Sequence, residues 1–174
     1  MITLKILGAF IVMLSCTITG ICFGKKIVYR MEELEQIQRG MTTLKNEITF
    51  LATPLPEAFQ KIAFQQKNML SNLFLKTAEE MEQRQGEKGE EIWKQSVLAW
   101  QQKTYLEKPD IDALIGFGTS IGYLDIAQQK ASIELLLQYI ETTLLELQQN
   151  KKQQQKLYPS MGVLCGMLII VLLS

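Results

Sequence analysis

ILGAFIVMLSCTITGICFG (residues 6–24) and LYPSMGVLCGMLIIVLLS (residues 157–174) contain no Asp, Glu, Lys or Arg, and every such residue except Lys5 lies between them. As helices rising about 1.5 Å per residue, the two stretches would each run roughly 27–28 Å, close to the hydrocarbon thickness of about 30 Å. The pattern predicts a membrane hairpin, with transmembrane helices over residues 1–24 and 157–174 and a domain over residues 25–156 held against one bilayer face. Lys25, Lys26 and Arg30 follow the first stretch, and Lys151, Lys152 and Lys156 precede the second. The outer ends offer only Lys5 with the amino terminus and, at Ser174, a carboxylate. Positive-inside therefore places the central domain in the cytoplasm. A cleaved secretory signal fits less well, because the apolar core is longer than an h-region and no A-x-A-like site ends it before Lys25. A lipoprotein signal would need a recognisable box ahead of Cys16 or Cys22; Met13-Leu14-Ser15 is a poor version, and Ile21 fails.

The composition excludes several chemistries. Cys16, Cys22 and Cys165 all lie in the apolar ends, so the central segment has no thiol for a disulfide or a metal. The chain has no histidine, which removes the commonest general base and metal ligand. Lys plus Arg and Asp plus Glu number 18 each; without Lys5 the centre holds 17 cations against 18 anions, so no basic face for nucleic acid is implied.

The central segment is 132 residues long, enough for one domain with a modest core, and reads as helical throughout. One heptad position carries Ile27, Leu34, Met41 and Ile48, and the other Ile37, Leu44 and Leu51, with Arg30 the only break. A second long run after Asp125 carries Ile126, Ile133, Leu136, Leu137, Ile140, Leu144 and Leu147, then a Gln/Lys tract. One run leaves the membrane and the other returns, so the two should pair antiparallel as a stalk of about 40–48 Å. Between them, Thr53 as N-cap with Pro54 at the first helical position starts a short helix to about Gln65. Further helices are expected over 69–85, 92–105 and 111–120, the last capped by Asp110 and ended by Gly122, with Asp125 capping the final run. These six helices make an all-α bundle between two terminal transmembrane helices.

A search for catalytic motifs returns little. The sequence has no G-x-x-x-x-G-K-S/T loop, G-x-S-x-G elbow, H-E-x-x-H or zinc-spaced Cys pair. Glu79, Glu80, Glu82, Glu87, Glu90 and Glu91 could together hold a divalent cation. Lys76, Arg84, Lys88 and Lys94 are interspersed with them, however, which favours a solvated helix face. Gly116, Gly118 and Gly122 follow no strand, so they read as a tight helix end with close backbone contact rather than a phosphate cradle. Trp93, Val97 and Trp100 share one helical face and read as core, with Phe117 and Tyr123 packed under the glycine turn. The chain is expected to use no cofactor or metal and to be no enzyme.

The segment Leu44-Lys45-Asn46-Glu47-Ile48-Thr49-Phe50, followed by Thr53-Pro54-Leu55-Pro56-Glu57-Ala58-Phe59 and Ile62-Ala63, resembles the signature of the stage III sporulation protein AB family of endospore-forming bacteria. Phe117-Gly118, Ile121-Gly122, Asp125 and Gln129 resemble that family's second motif. The resemblance implies a mother-cell membrane component of the channel apparatus that links mother cell and engulfed forespore. It also implies a soluble part similar to the F domain of type II secretion and type IV pilus platforms. The implied partners are the membrane, a secretion-type ATPase like stage III sporulation protein AA, and the other stage III sporulation membrane subunits; neither nucleic acid nor a small-molecule substrate is implied. Platform F proteins carry two such domains and three spans. This chain has one domain and two spans, so a homodimer is expected to supply the equivalent surface. Leu44, Glu47, Thr53, Pro54, Leu55, Ala58, Gly118, Gly122 and Asp125 are the motif residues expected to organise contacts, and fold maintenance alone would also account for them. The alternatives are a general secretion or pilus platform subunit and a membrane-anchored carboxylate enzyme using Glu90 and Glu91.

Overall fold

The structure, a computed structural model, describes residues 2–66, 69–84, 88–121 and 125–173, with side chains described in 25–66, 69–84, 88–121 and 125–149. Among them are six α-helices and no strand: α1 (Ile2–Leu51), α2 (Leu55–Gln65), α3 (Met69–Gln83), α4 (Gly89–Trp100), α5 (Lys108–Gly118) and α6 (Ile126–Leu173). A three-residue 3-10 turn, Gln101–Lys103, follows α4. The chain divides into two compact units, one of residues 1–29 and 145–174, the outer ends of α1 and α6, and one of residues 30–144. Among the described residues no helix is long and apolar enough to cross a membrane. The two charge-free stretches, with Cys16, Cys22 and Cys165, lie outside the residues whose side chains are described.

The unit of residues 30–144 is an up-and-down bundle. The α1 seam is buried as its period requires: Leu34, Ile37, Met41, Leu44 and Ile48 are each at most 4% exposed. Leu51, the next position in register, is exposed, because α1 ends there and Ala52 turns the chain aside with φ 51°. Ile133, Leu136, Ile140 and Leu144 form the matching stripe on α6. Lys45 on α1 pairs with Glu134 on α6 at 3.7 Å, and Ile48 shares a notch with Gln129. Since α1 positions rise as α6 positions fall, the two helices run antiparallel. The α5 helix runs the same way as α1, with Asp110 bonded to Arg30 at one end and Phe117 and Ile121 beside Ile48 at the other.

The four shorter helices meet in an aromatic stack. Phe59 (α2) lies 5.2 Å from Phe74 (α3) and 5.6 Å from Trp93 (α4), and Phe117 (α5) meets Trp93 edge-on at 5.2 Å. Both tryptophans are core residues with their polar ends satisfied. Trp93 Nε1 donates to the Leu114 carbonyl at 2.7 Å, and Trp100 Nε1 to that of Met69 at 3.1 Å. The fourth helix is shorter than its apolar pattern predicted, because Thr104 turns back onto the Gln101 carbonyl through both its N–H and its hydroxyl.

Two glycines on α5 differ sharply in their surroundings. A Cβ at Gly118 would overlap the Trp93 ring, whereas one at Gly116 would meet nothing within 4 Å. Gly118→Ala is therefore expected to destabilise the protein by about 1–3 kcal/mol through overpacking. Gly116→Ala should stabilise it by roughly 0.5–1 kcal/mol by removing backbone entropy from the unfolded chain. Chemical unfolding of the two variants side by side checks the contrast.

Candidate functional site

Arg30, the one charge in the α1 seam, is where the bundle places its most elaborate polar contact. Its Nε donates to Asp110 Oδ2 at 2.8 Å and its Nη2 to Asp110 Oδ1 at 3.0 Å, the parallel two-bond geometry that guanidinium and carboxylate favour. Asp110 is only 1% exposed. Its Oδ1 also accepts the Tyr139 hydroxyl at 2.8 Å, and its Oδ2 the Glu107 backbone N–H at 2.8 Å. Each carboxylate oxygen thus accepts two bonds, which accounts for all of the roughly four lone-pair sites of an ionised carboxylate. The remaining Arg30 nitrogen, Nη1, meets Glu107 Oε2 at 2.7 Å.

Local sequence fixes the α5 side of this node. Glu107 is the N-cap of α5, and Asp110, at the third helical position, reaches back to the N-cap N–H, so the two form a capping box. This corrects the expectation that Asp110 itself caps the helix. Pro109 in the first turn carries no N–H to be orphaned. One turn along α1 from Arg30, Glu33 accepts the Tyr105 N–H at 2.8 Å. Burial pushes the Glu33 carboxyl above its ordinary range, against the lowering effect of the Tyr105 and Leu106 N–H groups. The Tyr139 phenol is pushed up to about 12, first by burial and then by its bond to the Asp110 carboxylate.

The motif residues occupy the opposite end of the bundle, around the corner between α1 and α2. Thr53 does not cap α2; Pro54 holds the N-cap position without a side-chain bond. The Thr53 hydroxyl instead donates to Glu47 Oε2 at 2.8 Å, and its N–H to the Glu47 carbonyl at 3.1 Å, because the turn at Ala52 folds Thr53 back over the last turn of α1. Lys61 stands 3.3 Å from both Glu47 and Glu57. The Thr53 bond, followed by Lys61, holds the Glu47 carboxyl below the usual carboxylate range. Leu44 and Ala58 are fully buried, and Gly118 lies against Trp93. Asp125 caps α6, with Oδ1 accepting the Ala127 N–H at 2.9 Å. Gly122 and Tyr123 lie outside the described residues.

The two motif segments, about 70 residues apart in sequence, converge in space. Ile48 and Leu55 from the first, with Phe117, Ser120, Ile121 and Gln129 from the second, line one notch of about 150 Å³ that includes open solvent. Essentially none of that space admits even a water molecule, so the notch is a packing seam and no small-molecule site. Among the described residues no group of His, Cys, Asp or Glu is arranged to hold a metal ion. In the acidic region Glu80 pairs with Lys76 at 3.7 Å and with Arg84 at 3.9 Å. The sequence singled out the corner and the segment beginning at Phe117 and Gly118 but not the Asp110 node. The signal for the node was Arg30, which stands seven residues before Ile37 at a position that otherwise carries apolar side chains.

A model of the stage III sporulation protein AB family matches residues 5–174. Stage III sporulation protein AB of Bacillus subtilis (strain 168) is 29% identical over 170 residues, covering 98% of this chain and 99% of that protein. A solved structure of stage III sporulation protein AB superposes with a TM-score of 0.66 at 26% identity, covering 72% of this chain and 98% of that one.

Removing one partner of the node should cost far more than removing the pair. Asp110→Leu alone strips Arg30 of its two-bond partner and the Tyr139 hydroxyl of its acceptor, leaving only the half-exposed Glu107 on the guanidinium, with an expected loss of up to about 3–5 kcal/mol. Combining it with Arg30→Met should recover most of that loss, as read by urea unfolding of the two variants. The node should also mark the alkaline limb of stability. Tyr139 titrates near 10.0 when unfolded and near 12 when folded, so its contribution is complete below pH 10 and declines as pH rises toward 12. The difference in unfolding free energy between Tyr139→Phe and the parent chain should be constant below pH 10 and shrink above it.

Proposed function

The chain belongs to the stage III sporulation protein AB family, and from that premise we propose that it is a non-catalytic, two-pass membrane scaffold of the mother cell–forespore channel apparatus. In this reading residues 6–24 and 157–174 span the mother-cell membrane, and the bundle sits on the cytoplasmic side. There it docks a secretion-type ATPase resembling stage III sporulation protein AA and meets the other stage III membrane subunits. The observation that carries the reading is the pairing of one all-helical unit with two charge-free terminal stretches flanked on their inner sides by lysines. The described polar groups add support from the negative side. Asp110, Tyr139 and Arg30 are spent on one another, and Glu47 on Thr53 and Lys61, which leaves contact as the mode of action these groups allow. The stiff α1 and α6 helices would carry the position of a bound partner toward the spans.

Deleting the gene should block spore development after engulfment while vegetative growth continues normally. Affinity purification of the tagged chain from sporulating membranes should bring down an ATPase with sibling membrane subunits. A defect in protein export or surface filaments during growth would instead identify a general secretion platform. Metal-dependent hydrolysis lost in a Glu90→Gln, Glu91→Gln variant would overturn the scaffold reading.

A further inference from the structure

Within the unit of residues 30–144, one loop lies at the end from which α1 comes in. The α4 helix runs from Gly89, beside Ile121, toward Trp100, and α5 runs back from Asp110 on Arg30 to Ile121 near Ile48. The connection between them, residues 101–109, therefore sits at the Arg30 end. It is fastened there by Arg30 to Glu107 at 2.7 Å and by the Tyr105 N–H to Glu33 at 2.8 Å. The described ends of α2 and α3 sit elsewhere along α1. Gln66 and Leu70 pack on Gly40, ten residues further along α1, which is about 15 Å of helix.

The charges of this loop are sorted. Its one carboxylate, Glu107, is half exposed but held on Arg30 at 2.7 Å, and Asp110, just beyond the loop, is buried at 1% exposure. Lys103 and Lys108 are exposed and form no ion pair among the described residues, and Tyr105 between them is 44% exposed. Arg30 is only six positions past Gly24, the end of the first charge-free stretch. Even a fully extended chain of that length covers at most about 20 Å, and a helix covers less. If residues 6–24 span the bilayer, the loop is leashed to its surface.

We propose that residues 103–108 form a lipid-contacting surface, in which Lys103 and Lys108 meet the phosphates of anionic headgroups and Tyr105 seats at the interface. The inference rests on the membrane-anchored reading above and deepens it, since the bundle then lies on the membrane through a second point besides its spans. Pairing Glu107 with Arg30 and burying Asp110 suits such a surface, because an unpaired carboxylate at either position would repel the same phosphates.

The test uses the full chain in nanodiscs containing phosphatidylglycerol and a headgroup spin-labelled lipid, with one fluorophore per variant. Labels are placed at Gln102→Cys in the loop, at Leu51→Cys at the opposite end of the bundle, and on the native Cys22, the other cysteines being replaced by alanine. The loop label should be quenched and the Leu51→Cys label spared, and the loop's quenching should fall in high salt and in phosphatidylcholine alone. Combined Lys103→Gln and Lys108→Gln should shift the contact equilibrium by about five-fold per lysine. Equal quenching at positions 102 and 51, or quenching indifferent to the two lysines, overturns the proposal while a quenched Cys22 label leaves the spans standing. An unquenched Cys22 label overturns the membrane-anchored reading and the lipid surface with it.

Discussion

A carboxylate at the centre of three helices sets the register of this bundle. Asp110 receives Arg30 from α1, Tyr139 from α6 and the Glu107 N–H at the head of its own helix, α5. An apolar seam built on a heptad is degenerate: sliding α1 by seven residues would bring Leu34 to the place of Met41 and bury a similar surface. The node is not degenerate, since a slide in either direction strands a guanidinium and a carboxylate in the interior. Burying such a pair costs several kcal/mol per ion before their attraction is counted, and a well-packed apolar trio could do as well for stability. What the node supplies is a single arrangement, and it does so only because every lone pair of Asp110 is used.

The shorter helices are organised by a different kind of contact. Phe59, Phe74, Trp93 and Phe117 come one each from α2, α3, α4 and α5, and the close approach of Trp93 to the α5 backbone depends on Gly118 having no side chain. The eleven-residue α5 is thus common to both systems, held at its N-terminus by charge and at its C-terminus by aromatic packing. A helix that short is marginal alone, so its existence is a tertiary effect supported by its capping box. The Glu47–Thr53–Lys61 corner supplies the remaining constraint by fixing the direction in which α2 leaves α1.

Much of this was legible from the chain because it is periodic. The α1 seam from Leu34 to Ile48, the α6 stripe, the two core tryptophans and the Asp125 cap are local patterns, and local patterns declare themselves within a dozen residues. Arg30 and Asp110 are 80 residues apart, and nothing near either names the other. The two capping errors have local origins. Thr53 and Asp110 are both good caps by residue type, but Thr53 found Glu47 on the previous helix, and α5 starts ahead of Asp110, with Glu107 as its N-cap, so that Asp110 serves the capping box from the third helical position. The convergence of the two motif segments on one notch was equally hidden, since it depends on α5 running alongside α1.

The same arrangement bears on how a partner could act on the bundle. A partner that tilted α5 at its glycine end would have to shift Phe117 across Trp93, an edge-on ring contact that tolerates small displacement at modest cost. At its other end the helix is pinned through Asp110, where any opening exposes an unpaired charge to the interior and is resisted far more strongly. The two ends of α5 therefore differ in compliance, and motion imposed at the motif notch would pivot about the Arg30 node rather than displace it. A pivot at Arg30 leaves α1 and α6 tied together through Asp110 while the far ends of the shorter helices adjust. Such a pivot would let the shorter helices move while the register of the two long helices is kept, as the scaffold role proposed above would require.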